Sequence, residues 1–176
     1  MRLMKRPLFV IPIGSSVALL AAVLCTGTAQ AATNTASSVS ATASVLASCQ
    51  TPSTNTLAFG TYNPALASPN DASTTLTVRC TGGTPIVVSL NKGTTTGASI
   101  AQRKLISGSN TLNYNLYTSS ARTTVWGETA SVDTLSGTGS GLGTDVTFTV
   151  YGRIPPGQNN AVPGNYSDLI TVTVTY

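Results

Sequence analysis

The chain has 176 residues, of which 8% are charged, with three cysteines, no histidine and a formal net charge of +4. This length suits one domain and hardly two. Without histidine, a histidine-based catalytic triad and a histidine zinc site are both excluded, and we expect no cofactor or metal.

The first 31 residues have the order of a secretory signal. Three basic residues precede Leu8, an apolar stretch extends from there to Leu24, and small residues end the segment at Ala31. This order predicts a signal peptide over residues 1–31. The alternative is a membrane anchor over residues 8–24, which Pro12 weakens and which no basic stop-transfer segment follows.

Removal of residues 1–31 changes the charge balance. Six basic and five acidic residues remain, so the net charge falls to +1. Nucleic-acid binding requires a concentrated basic surface, and only Arg103 and Lys104 are adjacent basic residues. We therefore expect no nucleic-acid partner.

Two cysteines, Cys49 and Cys80, follow the predicted signal peptide. An even pair in an exported chain predicts one disulfide, and the alternative is two free thiols in an oxidising compartment. The bridge would close a loop whose chain entropy is worth roughly 3.5–4 kcal/mol.

Short runs in which every second residue is apolar recur along the rest of the chain, and clusters of glycine, proline and asparagine separate them. Such runs are typical of half-buried strands, and their spacing predicts an all-β, antiparallel, immunoglobulin-like sandwich. The runs are residues 39–47, 57–59, 76–80, 86–90, 112–116, 146–150 and 170–176. Two stretches rich in glycine, threonine and serine, 93–99 and 136–144, are predicted to be flexible hairpin connections.

No arrangement of residues predicts catalysis or a small-molecule substrate. The alternating glycines of residues 137–143 lack the Lys-Ser/Thr that ends a phosphate-binding loop, and the acidic residues are scattered singly. Four aromatic residues could form a sugar-binding surface, although packing within the strands and turns also explains them. They are Tyr62, Tyr117, Trp126 and Tyr151, and of the two interpretations we favour packing.

The two ends of the predicted domain carry the most information about function. A sandwich that ends on strand 169–176 leaves core side chains and backbone donors of a neighbouring groove uncovered. Residues 39–47 alternate small apolar residues with polar ones, and such a strand could fill the groove of another copy. Repeated insertion of this kind gives a filament that does not close. The alternative is that residues 39–47 form the first edge strand of their own sandwich.

Several segments in fixed order resemble the spore coat protein U domain, a family that includes the major subunits of archaic chaperone–usher pili. The resemblance covers about residues 39–176. Its segments are residues 47–49, 57–62, 78–84, 112–117, 125–127, 151–154 and 164–168, followed by an alternating last strand that ends in an aromatic residue.

The resemblance implies an incomplete immunoglobulin-like fold that a periplasmic chaperone holds and an outer-membrane usher assembles. Cys49 and Cys80 match the disulfide of the family by position. The inserting side chains of the donor strand would be Val39, Ala41, Ala43 and Val45. The groove and the chaperone-facing strand would carry Ile170, Val172, Val174 and Tyr176. The pilins of the family tend to have larger aliphatic residues in place of Ala41 and Ala43, which implies a weaker joint here.

Together these patterns predict a signal peptide (residues 1–31), a donor-strand segment (32–48) and a β-sandwich domain (49–176). We expect a non-enzymatic pilin subunit that is exported to the periplasm and assembled head to tail with other pilin subunits into surface fibres, for adhesion or biofilm formation. Two alternatives remain. One is a secreted spore-coat or matrix protein that folds alone, and the other is a carbohydrate-binding module that uses Trp126.

Overall fold

The computed structural model describes residues 34–176, so the predicted signal peptide over residues 1–31 lies outside the described residues. The chain divides into two units, Met1–Thr42 and Ala43–Tyr176, and all strands of the described residues belong to the second unit. Over residues 34–176 no helix has the length and apolar character needed to cross a bilayer.

Within residues 34–176, eight strands form two antiparallel sheets. The strands are β1 (Ser53–Thr54), β2 (Asn70–Val78), β3 (Pro85–Leu90), β4 (Arg103–Ser107), β5 (Asn110–Tyr117), β6 (Leu135–Thr138), β7 (Val146–Ile154) and β8 (Val172–Thr175). The larger sheet has the order β1-β2-β7-β5-β4 and the smaller one the order β6-β3-β8. The predicted antiparallel β-sandwich is therefore confirmed.

The core lies between the inner faces of the two sheets, where the central strands β3 and β7 bury every second side chain. In β3 the buried side chains are those of Ile86, Val88 and Leu90, at 0–1% exposure. The opposing sheet contributes buried side chains from β2, β5 and β7: Leu76, Val78, Leu112, Tyr114, Leu116, Phe148, Val150 and Ile154.

Two predicted strands are absent. Residues 39–47 form no strand and their side chains are exposed. The run at residues 57–59 also forms no strand. Its side chains Leu57 and Phe59 pack against the core from a loop. The ring of Phe59 meets that of Tyr114 edge to face, with ring centroids 5.8 Å apart. Apolar alternation in this short run reflects loop packing.

The prediction of a flexible connection over residues 136–144 is wrong in its first part, since Leu135–Thr138 forms β6 and pairs with β3. A Cβ atom at Gly137 would lie 3.0 Å from the ring of Phe148 and 3.4 Å from the side chain of Ile86. Glycine therefore lets the β6 backbone lie close over the core, and its low strand propensity conceals the strand in the sequence.

The prediction of a flexible hairpin over residues 93–99 is also wrong. This segment connects β3 to β4, which lie in different sheets. The side chains of Thr95 and Ala98 are buried, at 5% and 7% exposure. The segment is a packed crossover, whose polar composition gives no sign of its burial.

Candidate functional site

An open cleft lies between the edges of the two sheets and occupies about 300 Å³. One rim consists of residues 54–57 and the other of residues 168–170 and Val172. The floor is the exposed margin of the core and includes Leu76, Leu90, Tyr114, Leu116 and Val150. We call this cleft the groove. Its apolar floor and parallel rims suit an extended polypeptide better than a compact polar ligand.

The strand β8 forms one wall of the groove and is an edge strand. Among the described residues its only sheet neighbour is β3. The inward side chains of Val172 and Val174 remain half-buried, whereas Val88 and Leu90 on β3 are 0% and 1% exposed. The difference arises because β3 has a neighbour on both sides and β8 on one. The edge strand therefore presents apolar surface that another strand could cover.

The backbone of β8 also points hydrogen-bonding groups at the groove. The N–H of Asn91 donates to the carbonyl of Thr171 at 3.1 Å, and the N–H of Thr171 donates to Oδ1 of Asn91 at 2.9 Å. Successive residues of a strand direct these groups to opposite edges. The N–H and C=O groups of Ile170, Val172 and Val174 are consequently directed to the open edge.

The direction of β8 relates the groove to the rest of the domain. In the register between β3 and β8, Leu90 lies opposite Val172 and Val87 lies opposite Thr175. Because β3 begins directly after the turn that follows Cys80, the C-terminal end of β8 lies at the disulfide end of the sandwich. Its N-terminal end lies at the opposite end.

A carboxylate fixes the chain where it enters β8. Oδ1 of Asp168 accepts hydrogen bonds from the N–H groups of Thr94 and Leu169, both at 2.9 Å, and Oδ2 accepts one from the hydroxyl of Tyr114 at 2.8 Å. Burial and the bond to Asp168 raise the pKa of Tyr114 above its usual value. Gly93 makes this arrangement possible, because its φ is +88° and a Cβ atom there would overlap the carboxylate of Asp168.

A second and wider cleft of about 710 Å³ continues from the end of the groove that is remote from the disulfide. The two clefts share Leu57, Leu105 and Asp168 among their lining residues. Tyr62 closes part of this cleft, and its hydroxyl donates to the carbonyl of Pro155 at 3.1 Å. This second cleft is thus an extension of the groove.

The segment that precedes the sandwich, residues 34–48, contains no strand, and all of its side chains are exposed. Val39, Val45 and Leu46 are 93%, 87% and 82% exposed. Such exposure of large aliphatic side chains along one short segment is unfavourable in water.

The disulfide fixes the C-terminal end of this segment. Cys49 and Cys80 are bonded, with Cα atoms 4.1 Å apart. Beside the bridge, the N–H of Thr81 donates to the carbonyl of Ser48 at 2.9 Å, and the N–H of Gln50 donates to the carbonyl of Arg79 at 2.8 Å. The predicted pairing of these cysteines is confirmed, and the segment leaves the sandwich at the disulfide end.

The predicted donor and groove residues are distributed as follows. Ile170, Val172 and Val174 are half-buried, and the first two of them line the groove, whereas Tyr176 is 58% exposed. Val39, Ala41, Ala43 and Val45 lie in the exposed segment. The rim at residues 54–57 and the anchoring role of Asp168 were not predicted, because the alternation of apolar and polar residues provides no signal for either.

The aromatic residues do not form a sugar-binding surface around Trp126. Its side chain is 0% exposed, and its indole N–H donates to the carbonyl of Val88 at 2.9 Å. A sugar cannot reach the ring, so packing explains this residue.

Arg103, also 0% exposed, lies beside this tryptophan. Its guanidinium donates to the carbonyls of Asn91, Leu90 and Trp126 at 2.8, 2.9 and 2.7 Å, and to Oδ1 of Asn115 at 2.8 Å. Burial lowers its pKa.

Other charged side chains form surface ion pairs. Asp71 accepts two hydrogen bonds from Arg153, both at 2.7 Å, and Arg79 pairs with Asp145. Within residues 34–176 no three histidine, cysteine, aspartate or glutamate residues are arranged to hold a metal ion. The geometry of the described residues is suited to binding a strand.

Comparison with known proteins gives three findings. The sequence profile of the Spore Coat Protein U domain matches residues 35–173. "Protein U" of Myxococcus xanthus is 36% identical over 136 residues, which cover 69% of this chain and 72% of that protein. A solved structure, the CsuC-CsuE chaperone-tip adhesion subunit pre-assembly complex from archaic chaperone-usher Csu pili of Acinetobacter baumannii, matches with a TM-score of 0.53 and 26% identity. That match covers 75% of this chain, which spans only 40% of the matched one. Since the profile match extends over most of its length, the chain belongs to the Spore Coat Protein U domain family.

Proposed function

We propose that this chain is a structural subunit of a surface fibre and that it polymerises by donor-strand complementation. The observation that carries the proposal is the open edge of β8 above an apolar groove, in a chain that also has an exposed alternating segment. Residues 32–48 of one copy would insert into the groove of the next, with Val39, Ala41, Ala43 and Val45 facing the core. Adding a strand in this way satisfies backbone groups and buries alternate side chains.

We take the donor strand to run antiparallel to β8, because all strand pairs within residues 34–176 are antiparallel. A donor strand antiparallel to β8 enters from the disulfide end and leaves at the remote end, so the donor's own domain lies beyond the remote end. Each subunit extends its own segment from its disulfide end. The two joints of one subunit are therefore at opposite ends of the sandwich, and a head-to-tail contact of this kind produces an open filament.

The partners that we propose are those of a chaperone–usher system. The likeness to a chaperone-tip adhesion subunit complex supports a periplasmic chaperone that covers the groove before assembly. An outer-membrane usher and further copies of this chain complete the set. The predicted signal peptide over residues 1–31 would direct export, and residues 49–176 would form the domain. The role of the fibre would be adhesion or biofilm formation, without catalysis.

The test is a self-complemented chain. A second copy of residues 39–47 is added after Tyr176 through a two-residue Asn-Gly turn. Because insertion antiparallel to β8 makes a hairpin with that strand, a short turn suffices. Full burial of the two valines alone is worth about 3–6 kcal/mol. We therefore expect a soluble monomer that melts roughly 10 °C or more above the parent monomer.

The matched control carries the same extension with both of its valines, the copies of Val39 and Val45, replaced by aspartate. It has the same length and turn, and we expect it to melt with the parent chain and to remain competent for assembly. Equal melting temperatures for the parent, the extended chain and the control would refute the proposal. A parent monomer of full stability would instead favour a coat or matrix protein that folds alone.

A further inference from the structure

We propose that strand exchange between two copies has one register, in which Leu46 of the donor lies opposite Leu169 of the acceptor. The inference rests on the proposed function and adds the residue-by-residue pairing. In this register the inner pairs are Val45 with Ile170, Ala43 with Val172, Ala41 with Val174 and Val39 with Tyr176. The outer pairs are Leu46 with Leu169, Ser44 with Thr171, Thr42 with Thr173 and Ser40 with Thr175.

The two central inner pairs match in size. The side chain of Val172 lines the groove and that of Val174 follows it, half-buried, on the same face of β8, and small alanines lie opposite both. The larger Val39 lies opposite Tyr176, which is 58% exposed and able to move aside. Small residues opposite large ones fill a core without strain. The short side chains of Ala41 and Ala43 are thus matched to this wall.

The outer pairs match in chemistry. On the outer face of β8, Leu169 is followed by Thr171, Thr173 and Thr175, all exposed. On the outer face of the donor, one leucine is likewise followed by hydroxyl residues at two-residue intervals in the opposite direction. Leu46 and Leu169 are 82% and 69% exposed in the free chain. Pairing covers both leucines and places threonine or serine opposite threonine, which favours sheet pairing.

The neighbouring registers are unfavourable. A shift by one residue exchanges the inner and outer faces. A shift by two residues in one direction places Val45 opposite Asp168, whose carboxylate already accepts three backbone or hydroxyl hydrogen bonds named above. The same shift places Leu46 opposite Ser167, whose N–H and C=O groups are bonded to Ile106.

A shift by two residues in the other direction brings Ser48 of the donor opposite Leu169. The N–H of Ser48 donates to Oγ1 of Thr81 at 3.2 Å and its carbonyl accepts from the N–H of Thr81. That backbone is therefore engaged within its own domain. The shift also leaves Leu169 opposite a polar side chain. Only the register that pairs the two leucines avoids every one of these conflicts.

The geometry of the open edge selects the positions for a test. Since Ile170, Val172 and Val174 direct their backbone groups to the donor, the inner pairs are hydrogen-bonded pairs and the outer pairs are not. Non-hydrogen-bonded pairs have Cα atoms about 4.5 Å apart, whereas diagonal neighbours are about 7–8 Å apart. A disulfide fits the first distance and not the second.

The experiment uses the full chain produced in its own host, with Thr42→Cys combined in turn with Thr173→Cys, Thr171→Cys or Thr175→Cys. The three acceptor positions are all exposed threonines on one face of one strand. Surface fibres are oxidised mildly, boiled in detergent without reductant and separated on a gel. For the Thr173→Cys pair we expect a covalent ladder at least tenfold stronger than for either of the other two pairs.

Two readouts separate failure of the register from failure of the proposed function. Equal cross-linking in all three variants, or a stronger ladder with Thr171→Cys or Thr175→Cys, overturns the register. Absence of a detergent-resistant ladder in unboiled samples of the unsubstituted chain overturns strand exchange itself. In addition, Leu46→Ser and Leu169→Ser should each lower the temperature at which the unboiled ladder dissociates, and the double variant should lower it no further than the larger single effect. Additive effects would overturn the contact between the leucines.

Discussion

Replacement of Arg103 by methionine should destabilise the sandwich strongly. The side chain is fully buried, and within residues 34–176 it forms no ion pair with a carboxylate. Its guanidinium instead donates to three main-chain carbonyls and to Oδ1 of Asn115. Methionine retains much of the volume and removes every donor, so the variant isolates the hydrogen bonds from the packing.

The expected loss of unfolding free energy follows from the hydrogen-bond acceptors that the substitution leaves without a donor. In the variant, Oδ1 of Asn115 still accepts a hydrogen bond from the N–H of Leu116, at 2.9 Å. The three main-chain carbonyls lose the hydrogen bonds that the guanidinium donates. A buried polar group without a partner costs about 1–3 kcal/mol, so three give roughly 3–9 kcal/mol. Relief of the buried charge, whose desolvation lowers the pKa of Arg103, offsets part of this. We expect a net loss of about 3–5 kcal/mol, or roughly 10–15 °C in melting temperature.

The assay is thermal unfolding of the self-complemented chain, followed by circular dichroism, in which assembly does not interfere. Arg103→Lys should fall between the parent and Arg103→Met, since an ammonium group retains charge and some donors but lacks the planar fork. Arg79→Met is the matched control, because the side chain of Arg79 is 48% exposed. A melting temperature of Arg103→Met within about 2 °C of the parent would refute the reasoning.

Three further predictions concern other parts of the sandwich. Cys49→Ser should lower the free energy of unfolding by about 3.5–4 kcal/mol, because it opens a loop closed over a sequence separation of 31 residues, and periplasmic yield should fall sharply. Gly93→Ala should cost about 2–3 kcal/mol in urea unfolding, because alanine is strained at φ +88° and its Cβ would displace Asp168. The hydrogen bond from Arg153 holds the pKa of Asp71 below its usual 3.8, so this pair stabilises the fold above about pH 4 and is lost as pH falls through the lowered pKa. Asp71→Asn should remove that part of the acid sensitivity, worth at most about 1 kcal/mol, from melting curves measured between pH 2 and 6.

Each of these predictions has a contrary outcome. Normal periplasmic accumulation of Cys49→Ser would mean that the bridge contributes little to folding. Gly108→Ala is the control for Gly93→Ala, since Gly108 has φ +59° with open space around it. Equal losses of unfolding free energy in the two variants would mean that displacing the carboxylate of Asp168 costs nothing beyond the backbone strain. An unchanged acid profile in Asp71→Asn would exclude this group from acid unfolding.

The sequence predicts those strands that bury one face and whose residues on that face are all apolar. Residues 86–90, 112–116 and 146–150 are of this kind, and all three lie within observed strands. The predictions fail where other interactions outweigh propensity. β6 contains Gly137, which approaches the core closely, and β4 begins at Arg103, a charged residue that the fold buries with backbone partners.

Of the two walls of the groove, the sequence predicts only one. Alternation identifies Val172 and Val174 because it depends on local periodicity. The opposite rim at residues 54–57 cannot be found in this way, because it becomes a rim only when β1 lies at the edge of the larger sheet. The anchoring role of Asp168 depends on Tyr114 and Thr94, which are remote in sequence. Such contacts follow from the topology and not from local pattern.

The bond between Cys49 and Cys80 also decides how the sandwich bears mechanical load. A pull applied to residue 48 passes through the bridge to Cys80 and from there along the short turn into β3. The intervening chain, residues 50–79, is bypassed and carries no tension. β3 then transmits the force to β8 through antiparallel hydrogen bonds loaded in shear, so that many bonds must break together. A chain of such modules would resist stretching until that ladder shears.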